Sequence, residues 1–285
     1  MKRLLVTTDF STYSKAAIRF AIQLASQGEY SLTFFHSYQV LRPTTWSEPV
    51  FLSFEKSEST KVTRKLYKFV SDVYKSLGIV SQELQCVAKV GLYVDRNIMD
   101  YASKYDYDFI CISRKGGGRT SQLFGNNVSR LITKSIIPVI AVPSSYRRAP
   151  IVNITFASDL SNLDDELKKV ASFSEPLGAR VELLHFKVAI DYISNGIQLH
   201  AIKHKLDEYN IGTHYEAFDY EKPLIHNIMK VIKHSRPSML IMFTDQHRSL
   251  FERIFMSSIS ADFSLISKIP LLVYSKIKQV SLLSS

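Results

Sequence analysis

The chain reads as an α/β protein built from two tandem, doubly wound units, each with a five-stranded parallel sheet. Two observations carry this. Short apolar runs alternate with longer segments of helical spacing, and parallel neighbours need such crossover connections. The order of segments in the first half then returns in the second.

The first half begins with "RLLVTT" (3–8), a run of the kind a buried parallel strand shows. "STYSKAAIRFAIQLASQG" sets Ala17, Ile18, Ala21, Ile22 and Ala25 at helical spacing before Gly28. "SLTFFHS" is the second strand. The segment "LRPTTWSEPVFLSFEKSEST" (41–60), with the only Trp, reads as an irregular loop over the sheet edge. "STKVTRKLYKFVSDVYKSLG" brings Val62, Leu66, Phe69, Val70, Val73 and Leu77 onto one face, opposite Lys and Arg. Tyr67, Phe69 and Tyr74 fall near core spacing, so packing accounts for them better than exposed aromatic platforms. "ELQCVAKV", a helix near 94–104, "YDFICIS", a glycine loop, a helix near 126–135 and "PVIAV" complete five strands.

The second half repeats the order. "VNITFASDLS" echoes "LLVTTDFS", which puts Asp159 150 residues after Asp9. His185 in "VELLHF" answers His36 in "LTFFHS", and "HNIMKVIKHSRPSMLIMFT" echoes "RNIMDYASKYDYDFICIS". "IPLLVYS" matches "IPVIAVP". The later offsets shrink to about 130, so the second copy lacks roughly 20 residues, those of segment 41–60. The expected domains are 1–146 and 150–278, joined at "PSSYRRAP" (143–150).

Composition restricts the function. A chain of 285 residues with 46% hydrophobic and 22% charged residues matches a globular protein, and no run suits a membrane span. The N-terminus is too short in apolar residues for a secretory signal, so a cytoplasmic location is expected. Cys86 and Cys111 lie in strand-like runs and read as reduced, buried residues. No CxxC, HExxH or Cys/His cluster occurs, and no metal site is predicted. Through Ala149 there are 21 Lys/Arg against 11 Asp/Glu; the rest holds 15 of each, so the whole net charge of +10 belongs to the first half. The face Lys61, Arg64, Lys65, Lys68 and Lys75 reads as a solvated helix side, and no nucleic acid is expected as a partner.

The ordered features are an Asp ending strand one, a His near the end of strand two, Gly91 before the third helix, a glycine loop after strand four, and "IPVIAVP". Seen twice, this pattern resembles the universal stress protein family in its tandem form. The resemblance implies an adenine-nucleotide alpha hydrolase-like fold with strand order 3-2-1-4-5. It implies ATP, with Mg, held at the ends of strands one and four, where open α/β sheets bind ligands. In that pattern Asp9 contacts adenosine, the backbone of Ser37 meets adenine, and a loop G-x-x-G, nine residues, G-[S/T] surrounds the phosphates at a helix N-terminus.

Mapped on "ISRKGGGRTSQLFGNN", Gly116 matches the second glycine and Gly125-Asn126 the closing pair, with the stretch between one residue short. Ser113 stands at the first glycine, and Gly117 and Gly118 absorb the deletion. Asn126 caps the following helix, with Asn127 beside it, and Arg114, Lys115 and Arg119 add cationic reach. The other reading of the loop is a basic turn without ligand. For Asp9 the alternative is a helix cap. In the second copy Thr244, His247, Ser257 and Ser258 occupy the motif positions, all glycines are gone, and Phe251, Phe255 and Met256 add bulk, which argues against a nucleotide there.

No triad or G-x-S-x-G motif appears, and the H-x-G-H signature of the superfamily's nucleotidyl-transfer enzymes is absent, so no catalytic residue is assigned. The expected function is non-enzymatic: a stress-response protein binding ATP or a related anion in the first domain. The two "IPV/IPL" strands are expected to pair as an intramolecular pseudo-dimer, and a homodimer of the chain is a further option. The alternatives are a nucleotide-free module taking an apolar or lipid-like ligand, or a protein, between the domains, and a weak ATPase.

Overall fold

The computed structural model describes residues 1–41, 43–80, 83–114, 126–158, 160, 162–187, 196–217, 219, 221–222, 224–244 and 268–275. The first half runs β1 (Lys2–Thr7), α1 (Lys15–Gln27), β2 (Tyr30–Tyr38), α2 (Glu48–Ser76), β3 (Gln85–Val90), α3 (Val94–Lys104), β4 (Phe109–Arg114), α4 (Asn126–Lys134) and β5 (Val139–Pro143). The second follows with β6 (Asn153–Ala157), α5 (Leu163–Ser174), a 3₁₀ turn (Glu175–Leu177), β7 (Arg180–Lys187), α6 (Gly196–Glu208), β8 (Ile211–Ala217), α7 (Leu224–Ser235), β9 (Met239–Thr244) and β10 (Leu271–Ser275).

All ten strands form one sheet in the order β3-β2-β1-β4-β5-β10-β9-β6-β7-β8. Each half is therefore a 3-2-1-4-5 unit, and every pairing within a half is parallel. The join is antiparallel: Leu271, Leu272 and Val273 stand opposite Ala141, Ile140 and Val139. Because the join reverses direction, the C-terminal strand ends of the two halves point to opposite edges of the sheet.

The continuous apolar runs bury both faces of the sheet, as parallel strands require. One face carries Leu4, Val6, Phe34, Cys111, Phe156 and Ile241 under α1, α2 and α5; the other carries Leu5, Phe35, Ile110, Ala141 and Leu240 under α3, α4 and α7. Both clusters cross the join, so the halves share a core. In α1 the small residues Ala16, Ala17 and Ala21 are fully buried and let the helix lie close to the sheet. The connection between the halves is held in place. Gln27 donates to the Ile151 carbonyl at 3.0 Å and accepts from the Ile151 N–H at 2.8 Å.

The duplication is written in the backbone as well. Non-glycine residues with left-handed φ occur at Phe10 (62°) and Leu160 (65°), and at Asp106 (50°) and Arg236 (44°). The separations are the same 150 and 130 residues seen in the sequence.

Segment 41–60 departs from expectation. Its described residues are irregular only up to Ser47: α2 starts at Glu48 and runs 29 residues, with Pro49 in its first turn, where a missing N–H costs nothing. None of residues 48–60 is buried, and the apolar periodicity that marks a packed helix begins only at Leu66, Val70 and Val73. Tyr67, expected to pack, is 49% exposed. Phe69 and Tyr74 do pack against the core. Among the described residues, no helix is long and apolar enough to cross a membrane.

Candidate functional site

A cavity of about 480 Å³ opens at the C-terminal ends of β1 and β4, where the strand order reverses. Its floor is apolar, from Phe35, Val94, Ile98, Ile112 and Val128. Its rim is polar, from Thr7, Thr8, Asp9, Ser11, Ser14, Ser37, Ser113 and Asn127. The volume falls within the roughly 300–1,000 Å³ usual for small-molecule sites. Every described lining residue belongs to the first half.

The turn from β1 into α1 builds one wall. Phe10 turns left-handed, a conformation that costs a non-glycine residue about 1–2 kcal/mol. Three contacts hold it. The Phe10 N–H donates to Thr8 Oγ1 at 3.1 Å, and its ring lies 4.1 Å from His36 and 5.6 Å from Phe69 between centroids. This packs Phe10 onto the α2 side and leaves Asp9 at the cavity rim. Thr8 Oγ1 also shares a 2.7 Å hydrogen bond with Ser14 Oγ.

Asp9 Oδ1 accepts the Ser11 N–H at 2.9 Å, so the carboxylate closes a turn ahead of the helix. The N-cap of α1 is Ser14, which makes no side-chain cap bond. Asp9 is thus a turn residue at the cavity mouth, not the cap of α1. Burial opposes its ionisation, but hydrogen bonds from Ser11 and Ser14 outweigh burial and hold the carboxyl below its ordinary range. The site carries a full negative charge at neutral pH.

His36 serves the wall, not the cavity. Its Nδ1 lies 2.7 Å from the Thr8 carbonyl, and because a carbonyl only accepts, Nδ1 carries the proton. Burial lowers its pKa, and Lys65 acts in the same direction; the Thr8 bond and Asp9 only partly oppose them.

The opposite wall uses a residue that the sequence reading did not single out. Asn97, in α3, donates from Nδ2 to Ser37 Oγ at 2.8 Å and to the Lys89 carbonyl at 3.2 Å, tying the ends of β2 and β3 together. Gly91 leaves it room: a Cβ there would stand 2.6 Å from Asn97 Nδ2 and 3.0 Å from Asn97 Cβ. In the second half Asn227, 130 residues on, bonds both backbone groups of Asp219, at 2.9 and 3.2 Å. The repeated "NIM" in the two copies was the signal for this pair.

Of the predicted residues, Asp9, Ser37 and Asn127 line the cavity from three separate elements. Asn126 begins α4, as a loop-to-helix junction requires. Gly116, Gly117, Gly118, Arg119 and Gly125, with Lys115, lie outside the described residues. So do Asp159, His247, Phe251, Phe255, Met256, Ser257 and Ser258 of the second copy, whereas Thr244 closes β9. Ser113, at the first-glycine position, is committed through its hydroxyl to the Tyr13 carbonyl at 2.7 Å, which stitches β4 to the turn before α1.

Arg114 does not provide the expected cationic reach. It is 1% exposed, does not line the cavity, and donates from a terminal nitrogen to the Ile269 carbonyl of the second half at 2.9 Å. Strand alternation explains this: Ser113 faces the turn before α1, so Arg114 faces the other side. Burial lowers its pKa to about 10, which leaves it charged at neutral pH. Among the described lining residues there is no Lys or Arg, and Asp9 is the one carboxylate.

Both cysteines are free thiols. Burial pushes Cys86 up to about 11 and raises Cys111 further, so neither is a thiolate at neutral pH. Among the described residues, no group of three or more His, Cys, Asp or Glu could hold a metal ion.

Known proteins share this fold. The family model described as the universal stress protein family matches residues 1–143. A universal stress protein from Archaeoglobus fulgidus superimposes with a TM-score of 0.66 at 15% identity, over 96% of this chain and 98% of that one. A protein of unknown function from Pseudomonas aeruginosa gives 0.55 at 11% identity, over 96% and 92%. At these identities the likeness is one of fold. No curated protein matches the sequence. With the family model covering the first half and the same five-stranded arrangement built twice, the chain belongs to the universal stress protein family.

Proposed function

We propose that this is a non-enzymatic, regulatory binding protein of the stress response whose first half holds an adenine nucleotide. The observation that carries the reading is the convergence of Asp9, Ser37 and Asn127 on one cavity at the β1/β4 switch point. Its floor of Phe35, Val94, Ile98, Ile112 and Val128 suits the flat apolar faces of a purine. Asp9 accepts hydrogen bonds from an adenosine hydroxyl or amine. The N-terminus of α4, beside Asn127, favours phosphate through its free N–H groups and dipole. The fit supports the nucleoside first. A magnesium ion would be held by the phosphates, since Mg²⁺ needs only one or two protein carboxylates and Asp9 is the one on the rim.

The imidazole of His36, behind the cavity wall, is engaged with the Thr8 carbonyl, which favours binding over catalysis. The residues 1–146 and 150–278 then act as two domains, the second pairing with the first through β5 and β10 as an intramolecular pseudo-dimer. Among the described residues the cavity is lined by the first half alone, which supports this reading over a ligand held between the domains.

Calorimetric titration tests it. Adenosine, AMP and ATP·Mg are titrated into the intact chain and into the Asp9→Asn variant. Saturable heat with the natural chain, and affinity at least tenfold weaker in the variant, is expected. Folded protein that gives no heat with any of the three at millimolar concentration overturns it.

A further inference from the structure

The two copies cross from their second to their third strand with very different helices. In the second half the whole connection from the end of β7 at Lys187 to the start of β8 at Ile211 is shorter than α2 alone, which has 29 residues. At about 1.5 Å per residue α2 is about 43 Å long. The same sheet topology is thus completed without the extra turns, so the N-terminal part of α2 is more than the fold needs.

That extra length is apolar and uncovered. Of the thirteen exposed large hydrophobic residues among the described residues, four lie within 41–54: Leu41 (80%), Val50 (52%), Leu52 (54%) and Phe54 (37%). Trp46 packs edge-on against Phe54 at 5.0 Å, and the two border a shallow groove with Pro49, Val50, Ser53 and Ser57. Val50, Phe54, Ser57, Lys61, Arg64 and Lys68 follow at spacings of three and four, one stripe of the helix. The core residues Leu66, Val70 and Val73 lie on the opposite side, so this stripe points straight out to solvent. Its first half is apolar and its second half basic. Lys61 is shared with Glu58 at 2.8 Å, and Asp72 is an exposed carboxylate near the stripe's C-terminal end.

We propose that this outward stripe of α2 docks the protein on an anionic lipid surface. Val50, Phe54 and Trp46 enter the interface, while Lys61, Arg64 and Lys68 lie along the headgroups. Charge complementarity and shape both argue for it. The first half carries the chain's whole positive surplus, and a straight apolar-then-basic ridge meets a flat charged sheet along its length. Exposed aliphatic residues such as Val50 and Leu41 gain from hydrocarbon and nothing from base stacking. Trp46 and Phe54 hold each other edge-on and present no free stacking platform, which sets nucleic acid aside.

Trp46 is the only Trp, so its fluorescence reports on this site alone. The full chain is mixed with vesicles of phosphatidylcholine, or of phosphatidylcholine with 30% phosphatidylserine, in 0.1 M and 0.5 M salt. Co-sedimentation with the anionic vesicles at low salt, at least tenfold reduced at high salt or on neutral vesicles, is expected, together with a blue-shifted Trp46 emission. Lys61→Glu with Arg64→Glu and Lys68→Glu should remove binding at least tenfold. Val50→Ser with Phe54→Ser should lose the blue shift; both sites are solvent-exposed and leave the core intact. Protein that is folded by circular dichroism yet stays in the supernatant with unchanged emission overturns the proposal. Retention of a single-stranded oligonucleotide with the same triple-variant sensitivity, without vesicle binding, overturns it equally by giving the face to nucleic acid.

Discussion

Replacing Gly91 by Ala tests whether the site wall rests on the fit between that glycine and Asn97. The Gly91 backbone lies outside the left-handed region, so the effect of the methyl group is steric alone. The new Cβ would stand 2.6 Å from Asn97 Nδ2, 2.8 Å from Cγ and 3.0 Å from Cβ. A rotamer change relieves the first two contacts; the third is fixed by the backbone of α3. Overpacking of this kind costs about 1–3 kcal/mol. Turning the amide away also gives up the bonds to Ser37 and to the Lys89 carbonyl, each worth about 0.5–1.5 kcal/mol. Gly91→Ala should therefore cost about 2–6 kcal/mol, and Asn97→Ala alone, which loses the bonds without the clash, about 1–3 kcal/mol. The double variant has no bonds left to lose and keeps only the 3.0 Å contact to the Cβ of residue 97, so it should cost slightly more than Asn97→Ala and well under the sum of the single variants. Urea unfolding of the four proteins, read as midpoint shifts at constant slope, gives the coupling. Costs that add within about 0.5 kcal/mol would refute the account, because neighbours that collide cannot be independent.

Two further outcomes follow from buried groups. Arg114→Met keeps much of the volume and removes the charge but leaves the Ile269 carbonyl without this donor, so it should cost about 1–3 kcal/mol. Arg114→Ala leaves a void and should cost about 2–5 kcal/mol; equal damage from both in urea unfolding would mean the guanidinium itself is required. For His36 the folded pKa lies below the ordinary value, so the unfolded chain takes up the proton first. The stability it contributes is complete above about pH 6.5 and falls with pH below that until the folded pKa is passed. Unfolding between pH 4.5 and 8 should show this slope in the natural chain and lose it in His36→Gln, whose amide can still donate to the Thr8 carbonyl.

The sheet was legible because parallel strands buried on both faces leave continuous apolar runs, and because two copies make each run evidence for the other. Asp9, Ser37 and Asn127 were legible for a related reason: all lie at the ends of elements whose order was clear. What could not be read follows from missing partners. Turns 48–60 of α2 pack on little, so nothing imposed a helical apolar period, and Pro with Ser gave them the composition of a loop. Arg114 sits among the basic residues of a loop motif, and only the strand alternation from Ile110 through Ser113, combined with the position of the second half, turns it away from the cavity. Asn97 was visible as an echo, but an echo reports correspondence and not contact; the amide's role needed the distance to Ser37.

The two halves differ where a ligand would matter and agree where packing does. Ala17, Phe20, Ala21 and Leu24 of α1 and Leu167, Val170, Ala171 and Ser174 of α5, each 150 residues apart, are all buried. Pairing through β5 and β10 needs only strand backbone and apolar faces, so it constrains neither crevice. Ala16, fully buried at the start of α1, corresponds to Glu166, 1% exposed and hydrogen-bonded to Ser158 at the end of β6. An anion approaching the N-terminus of α5 meets a carboxylate already placed there, whereas at α1 it meets a methyl group. The strand registers match Phe243 to Ser113 and Thr244 to Arg114, one residue from the motif placement of Thr244, so the buried guanidinium reaching from the first half to the carbonyl of Ile269 has no counterpart in the second. A join symmetric in its backbone thus permits an asymmetric pair. The first half keeps a crevice with a polar rim and an uncharged helix start. The second keeps the fold and places the buried carboxylate of Glu166 at the corresponding helix start.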